Sequence, residues 1–218
     1  MSEYKLITEQ YVMPTPAGAY YAVSNSSEDP ARDLLFALMS KPNSQYLTLD
    51  TLQNFTHLSE EQAALELLYR AQKLGWLQGN DDSHCLPEGR LETVVPLLLA
   101  ELSGSGKALL ADEEGFYLAS HGFTHETAEE VSALSADLAS LYQRHHRLLQ
   151  NNIGVESSAW AIVNAGGDSH LGFWPLYIGD QRFSLAITGL PSLNQAAFMQ
   201  LVWFLSERYA GVGQQPLE

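Results

Sequence analysis

A single cysteine, Cys85, stands in 218 residues. That excludes an intramolecular disulfide and any fold stapled by cross-links, and it fits a reducing, cytoplasmic compartment. Basic residues are scarce: 11 Lys and Arg against 26 Asp and Glu, a formal charge of −15, and no segment is basic overall. Affinity for nucleic acid comes mainly from neutralising phosphates, and adsorption to anionic lipid asks for the same sign of charge, so both partners start at a disadvantage. No run approaches the roughly 18 apolar residues that span a bilayer. The start, Met1-Ser2-Glu3-Tyr4-Lys5, has neither the basic end nor the apolar run of a signal peptide. Internal repeats and low-complexity tracts are also missing. What is present is 45% hydrophobic and 17% charged residues, the composition of a soluble globular protein with one large domain or two small ones.

Signals for chemistry are equally thin. Gly104-Ser105-Gly106-Lys107 invites a phosphate-loop reading, but Glu101 and Ala108 stand where the pattern needs Gly and Ser or Thr, and the segment closes a helix instead of opening one. His145 and His146 are adjacent, so on a helix they point about 100° apart and cannot share a metal. Near a helix C-terminus they offset the macrodipole together with Arg144 and Arg147. Cys85 has only His84 beside it, and strand neighbours face opposite ways. No Gly-x-Ser-x-Gly elbow follows a strand. Trp160, Trp174 and Trp203 with Phe173 and Tyr177 read as an aromatic core set, the alternative being a partly exposed patch at a dimer or partner surface. The sequence names no catalytic residue, cofactor or metal.

Taken in order, residues 10–23 read as extended structure broken by a turn, with Pro14 and Pro16 confining any strand to an edge or short arm. A polar linker, Ser24 to Asp29, leads to Pro30 in the first turn of an amphipathic helix over Ala31 to Ser40. A short helix follows Thr48, and Ser59 with Gln62 has capping-box spacing for a third, carrying Ala64, Leu65, Leu68 and Ala71. Trp76 to Gln78 and His84 to Leu86, around Gly79-Asn80-Asp81-Asp82, read as a small hairpin. Three helices and a two-stranded wing resemble a winged-helix domain over residues 29–88. Such domains read DNA with basic side chains; here the outer side of the third helix has Gln62, Glu66, Tyr69, Arg70 and Lys73, and the wing has Asp81 and Asp82, which suits protein binding better.

Past the hinge Pro87-Glu88-Gly89, Leu91 to Leu102 form a helix. The strands Ala108 to Ala111 and Phe116 to Ser120 make a hairpin whose acidic turn ends in Gly115, which supplies the positive φ. A long helix begins near Thr124. Val131, Leu134, Leu138 and Leu141 make its core stripe. Ser132, Ser135, Ala136, Ala139 and Ser140 form a neighbouring strip of small residues that would admit a second helix. Three strands follow, within 158–164, 171–178 and 182–188. Ser192 with Gln195 opens a final helix to about Tyr209.

The order helix, two strands, long helix, three strands, helix resembles the roadblock / dynein light-chain family. So do the Asp112-x-x-Gly115 hairpin with Ala119-Ser120 and the last strand ending in Gly189-Leu190-Pro191. Taken with the winged-helix likeness, this gives an α+β reading: an N-terminal arm (1–28), a winged-helix-like domain (29–88), and a roadblock-type domain (89–218), for which the family resemblance implies a five-stranded antiparallel sheet with helices on both faces. It implies a non-enzymatic homodimer, joined edge to edge through the third strand (158–164) with the long helices side by side. Ser132, Ser135, Ala136, Ala139, Ser140, Gln143, Trp160 and Ile162 would lie at that interface, and Glu126, Glu129, Glu130, Arg144 and Arg147 would face a partner. Bacterial members of the family are commonly scaffolds or regulators of small Ras-like GTPases. The alternative is a transcriptional regulator whose winged helices bind DNA as a pair, dimerised by the C-terminal domain.

Overall fold

The computed structural model describes residues 4–7 and 9–210. The chain divides into two compact units. One is built from the chain up to Pro87 together with the stretch from Phe198, the other from Glu88–Ala197. The division at residue 89 counts the whole last helix, α7 (Ala196–Tyr209), with the C-terminal domain; in the structure its larger part joins the first unit. The reason is local: Trp203 Nε1 donates to the Lys41 carbonyl at 2.7 Å, and Phe198 meets the ring of Tyr20.

In the first unit, β1 (Tyr11–Pro14) is followed by helix α1 (Pro16–Val23) where the sequence suggests extended chain. Thr15 caps it, its side chain accepting from the Gly18 amide, and Pro16 sits where a helix tolerates proline. β1 is also not an edge. It lies between β2 (Gln45–Tyr46) and β3 (Leu77–Asn80). Pro14 ends it, so the missing amide interrupts no ladder beyond that point. α2 (Pro30–Leu38), α3 (Leu49–Thr56) and α4 (Glu61–Lys73) follow. Asp29 caps α2, and Thr48 with Thr51 forms a capping box on α3. The expected Ser59 cap is absent: α4 starts after Glu60 without a side-chain cap. The expected wing hairpin is absent as well. β3 pairs with β1, while residues 84–86 hydrogen-bond to the chain at 42–44 through Ser44 N to His84 O and Leu86 N to Pro42 O.

The second unit opens with α5 (Leu91–Glu101), followed by β4 (Ala108–Ala111) and β5 (Tyr117–His121). The long helix α6 (His125–Arg147) continues into a π-helical turn over Leu148–Ile153, which ends at Gly154 in the left-handed region. The strands β6 (Trp160–Val163), β7 (Ser169–Ile178) and β8 (Gln181–Thr188) complete an antiparallel five-stranded sheet in the order β5-β4-β8-β7-β6. This is the expected sheet. Leu109, Ala111, Phe173 and Ala186 pack with Ala128 of α6, with Val131 and Leu138 beside them. Side chains alternate along a strand, so Ala108 and Leu110 face the opposite way. They are equally buried, and α5 lies against β4 and β5 there. Each face of the sheet therefore carries a helix.

Candidate partner-binding surface

The surface is built around α6. Thr124 caps its start, its hydroxyl accepting from the Thr127 amide. A carboxylate in the first turn suits the positive end of the helix. The carboxyl of Glu126 is accordingly held below its ordinary value by its own backbone amide first, and then by the Thr124 hydroxyl. The Tyr117 hydroxyl and His125 Nδ1 lie 2.7 Å apart, tying the end of the helix to β5.

The two strips of α6 divide differently from the sequence reading. Ser132, Ser135 and Ala139 are 0%, 2% and 6% exposed, pressed against their own sheet. The two hydroxyls need nothing from a partner, because Ser132 donates to the Ala128 carbonyl and Ser135 to the Ser132 carbonyl, both at 2.7 Å. Ala136 is half-buried over the β4–β5 turn, and Ser140 and Gln143 are exposed. Of the supposed core stripe, Val131 and Leu138 reach the core, whereas Leu134 and Leu141 are 38% and 36% exposed. Small side chains let the helix axis approach the sheet, and the leucines are displaced to the flank.

That flank has a direction. The β4–β5 turn packs on one side of α6, where a Cβ at Gly115 would meet Ala136 and the Ser132 carbonyl. The other side, with Val131 and Leu138, packs with Leu171 and Phe173 of β7. Phe173 stands opposite Trp160 and Leu171 opposite Ile162. Cross-strand partners share a face, so Trp160 and Ile162 lie on the α6 side of the sheet. β6 is the last strand of the sheet, with one side unpaired, and its Ile162 and Val163 are 56% and 55% exposed. The leucine flank of α6 therefore lies on the side of the helix that faces β7 and the free β6 edge, and Leu148, Ile153 and Val155 at and past the end of the helix are exposed too. Scattered apolar side chains on a surface need no explanation, whereas an exposed leucine row on a helix beside an open strand edge is the kind of feature that partner surfaces use.

The charged candidates are exposed and segregated. Glu126, Glu129, Glu130 and Asp137 occupy the first part of α6, where Glu129 lies 3.5 Å from His125. Arg144 and Arg147 occupy the last turns, with His145 exposed and His146 half-buried. The missed residues are Leu148, Ile153 and Val155. Their signal was the apolar character of a segment just past the helix, which sequence patterning does not orient.

Other chemistry does not converge. Cys85 is exposed. No group of three or more metal-ligating side chains occurs among the described residues, and no helix there is long and apolar enough to cross a membrane. In the first unit a cleft of about 530 Å³ is lined by Tyr4, Lys5, Leu6, Leu49, Gln62 and Leu65, among others. It sits against the outer side of α4, where the Tyr4 amide donates to Gln62 and its ring lies 4.9 Å from Tyr69. The side of α4 that would read a DNA groove is thus partly covered by the chain's own N-terminal segment.

No protein-family model matches the chain, and no curated protein matches it. Among solved structures it is similar to a roadblock/LC7 domain from Streptomyces avermitilis, at 15% identity over 55% of this chain and 92% of that one, TM-score 0.35. It is similar also to MglB of Myxococcus xanthus, at 14% identity over 53% and 89%, TM-score 0.32. The gliding protein MglB of Thermus thermophilus gives 14% identity over 57% and 91%, TM-score 0.32.

Proposed function

We propose that the second unit is a roadblock-type module that pairs with a second copy of itself through the β6 edge and the leucine flank of α6. The pair then presents a two-fold surface to a protein partner, and the resemblance of the sequence points to a small Ras-like GTPase. The observation that carries this reading is the juxtaposition of an unpaired strand edge with exposed Leu134, Leu141 and Leu148 on the helix beside it. The part the protein plays is to bind and position; no side-chain constellation described above does chemistry. The acidic charge of the chain favours partners with a basic face and disfavours nucleic acid and anionic lipid.

Light scattering on the full chain and on Leu141→Glu tests the pairing. A dimer that becomes monomeric in the variant, with its circular dichroism retained, is the expected result; a monomeric native chain removes the proposal. For the partner, titration calorimetry with a small Ras-like GTPase from the same genome, loaded with a non-hydrolysable GTP analogue and separately with GDP, should give nucleotide-dependent binding to the dimer. Equal affinity for both nucleotide states would leave the protein a scaffold without a switch-reading role.

A further inference from the structure

In the first unit, residues 4–7 lie across the outer side of α4 without forming helix or strand. Tyr4 makes the contacts that seat them. Its amide donates to Gln62 Oε1 at 3.3 Å, and its ring tilts over Tyr69 with the centroids 4.9 Å apart. Gln62, Leu65 and Tyr69 are spaced i, i+3, i+7, so a single line along α4 supplies both anchor points, with the buried Leu65 between them. The fit is partial. The anchoring hydrogen bond is longer than the usual N–H···O range, and Ile7 is 69% exposed. The cleft of about 530 Å³ remains open beside the segment, with Tyr4, Lys5 and Leu6 on one wall and Leu49, Glu61 and Leu65 on the other. Because β1 is held between two strands, the segment stays tethered beside its seat when it lifts.

We propose that the groove along α3 and α4 is a peptide-recognition site held shut by the chain's own residues 4–7. Its outside ligand is a partner segment of the same chemistry: an aromatic residue followed by a basic and then an apolar one. The inference concerns the first unit and stands apart from the pairing of the second. The ligand chemistry is that of the segment already seated there, Tyr4-Lys5-Leu6. The aromatic position packs on Tyr69, itself 45% exposed. The basic position suits an acidic rim, since Glu61 lines the cleft and Glu60 and Glu66 stand exposed on the same helix. The apolar position shares the cleft with Leu49 and Leu65. A nucleic acid would meet those three carboxylates instead, so it is the disfavoured occupant. A tethered segment competes at an effective concentration of about millimolar. The site is therefore closed to weak or scarce ligands and opens to a partner that carries the motif at high affinity or high local concentration.

The test is fluorescence anisotropy of a labelled synthetic peptide of residues 1–8, titrated with the full native chain and with full-length Tyr4→Ala and Y4A/Y69A. Tyr4→Ala removes the ring that seats the segment and should bind the peptide about tenfold more tightly than the native chain does. Y4A/Y69A should lose about tenfold of that gain, because the exposed Tyr69 is the seat and no part of the core. The same peptide carrying Lys5→Glu should bind Tyr4→Ala about fivefold more weakly at about 50 mM salt, and the difference should shrink at about 500 mM, where charges are screened within about 4 Å. Equal binding of the peptide by the native and Tyr4→Ala chains would overturn the self-occupied site. So would no binding by either, with circular dichroism showing both folded. A Tyr4→Ala chain that gains affinity for duplex DNA and none for the peptide would make residues 4–7 the cover of a nucleic-acid surface and overturn the peptide reading.

Discussion

Gly115, in the turn between β4 and β5, lies directly beneath Ala136 of α6: a Cβ added to the glycine would stand 3.1 Å from the Ala136 Cβ and 3.2 Å from the Ser132 carbonyl oxygen. The small residues of α6 are therefore a landing strip for the helix's own hairpin and sheet. Substitutions at its buried positions should act on folding, and those on the leucine flank on the proposed association.

Ala139→Glu puts a carboxylate where only 6% of the residue is exposed. An unpaired buried charge of this kind costs about 3 kcal/mol or more. Urea denaturation should show the loss, together with exposed apolar surface detectable by dye binding. A well-folded monomer from this variant would mean that the residue faces a partner after all.

Gly18→Ala reverses the usual rule. Alanine in a helix interior is ordinarily favoured over glycine by about 1 kcal/mol. Here the added Cβ would meet the Trp76 carbonyl oxygen, a backbone atom that cannot swing away. The same carbonyl accepts from the Thr15 amide at 2.9 Å. The variant should lose about 2 kcal/mol or more of stability, measured as a lower urea midpoint with an unchanged slope.

Trp203→Phe keeps most of the apolar bulk and removes the indole donor. The Lys41 carbonyl, bonded to Trp203 Nε1 at 2.7 Å in the native protein, loses that partner. The expected cost is about 1–3 kcal/mol, seen in calorimetry as a fall in melting temperature of several degrees. An unchanged melting temperature would mean that α7 does not stabilise the first unit through this contact.

Asp29 caps α2, accepting from the Ala31 amide at 2.8 Å and from the Tyr21 hydroxyl. Burial works to raise its pKa, but the hydrogen bonds from Tyr21 and Ala31 and the nearby Arg32 together outweigh it, and the carboxyl ends below its ordinary value. A depressed carboxyl stabilises the fold above its unfolded pKa, and that contribution is lost as pH falls through the folded value. Asp29→Ala should cost about 1 kcal/mol at pH 7. The difference from the native chain should shrink as pH is lowered below about 4, which stability curves at several pH values would reveal.

Much of the second unit is legible in the sequence. The hairpin around Gly115, the cap at Thr124 and the three later strands follow from turn chemistry and alternation, and all five strands join the one sheet. The faces of α6 were not legible, because hydrophobicity ranks leucine above serine for burial and cannot register that the sheet needs a close approach. Helix α1 was obscured by Gly18 and by tyrosines of high strand propensity, although Thr15-Pro16 is a sound start signal. The wing failed for a different reason. Residues 77–80 and 84–86 have strand-like neighbours, but their partners, β1 and the chain at 42–44, are about 40 or more residues away, beyond the reach of local patterning.

The return of the chain from Phe198 onward into the first unit has a consequence for how the protein is made. A ribosome completes the second unit before Phe198, Trp203 and Phe204 have been added, so the first unit waits as an unfinished body with part of its core still unsynthesised. Its nascent apolar surface must be held from aggregating while roughly a hundred residues pass. A stop codon just before residue 198 would damage the oldest part of the molecule while sparing the newer one.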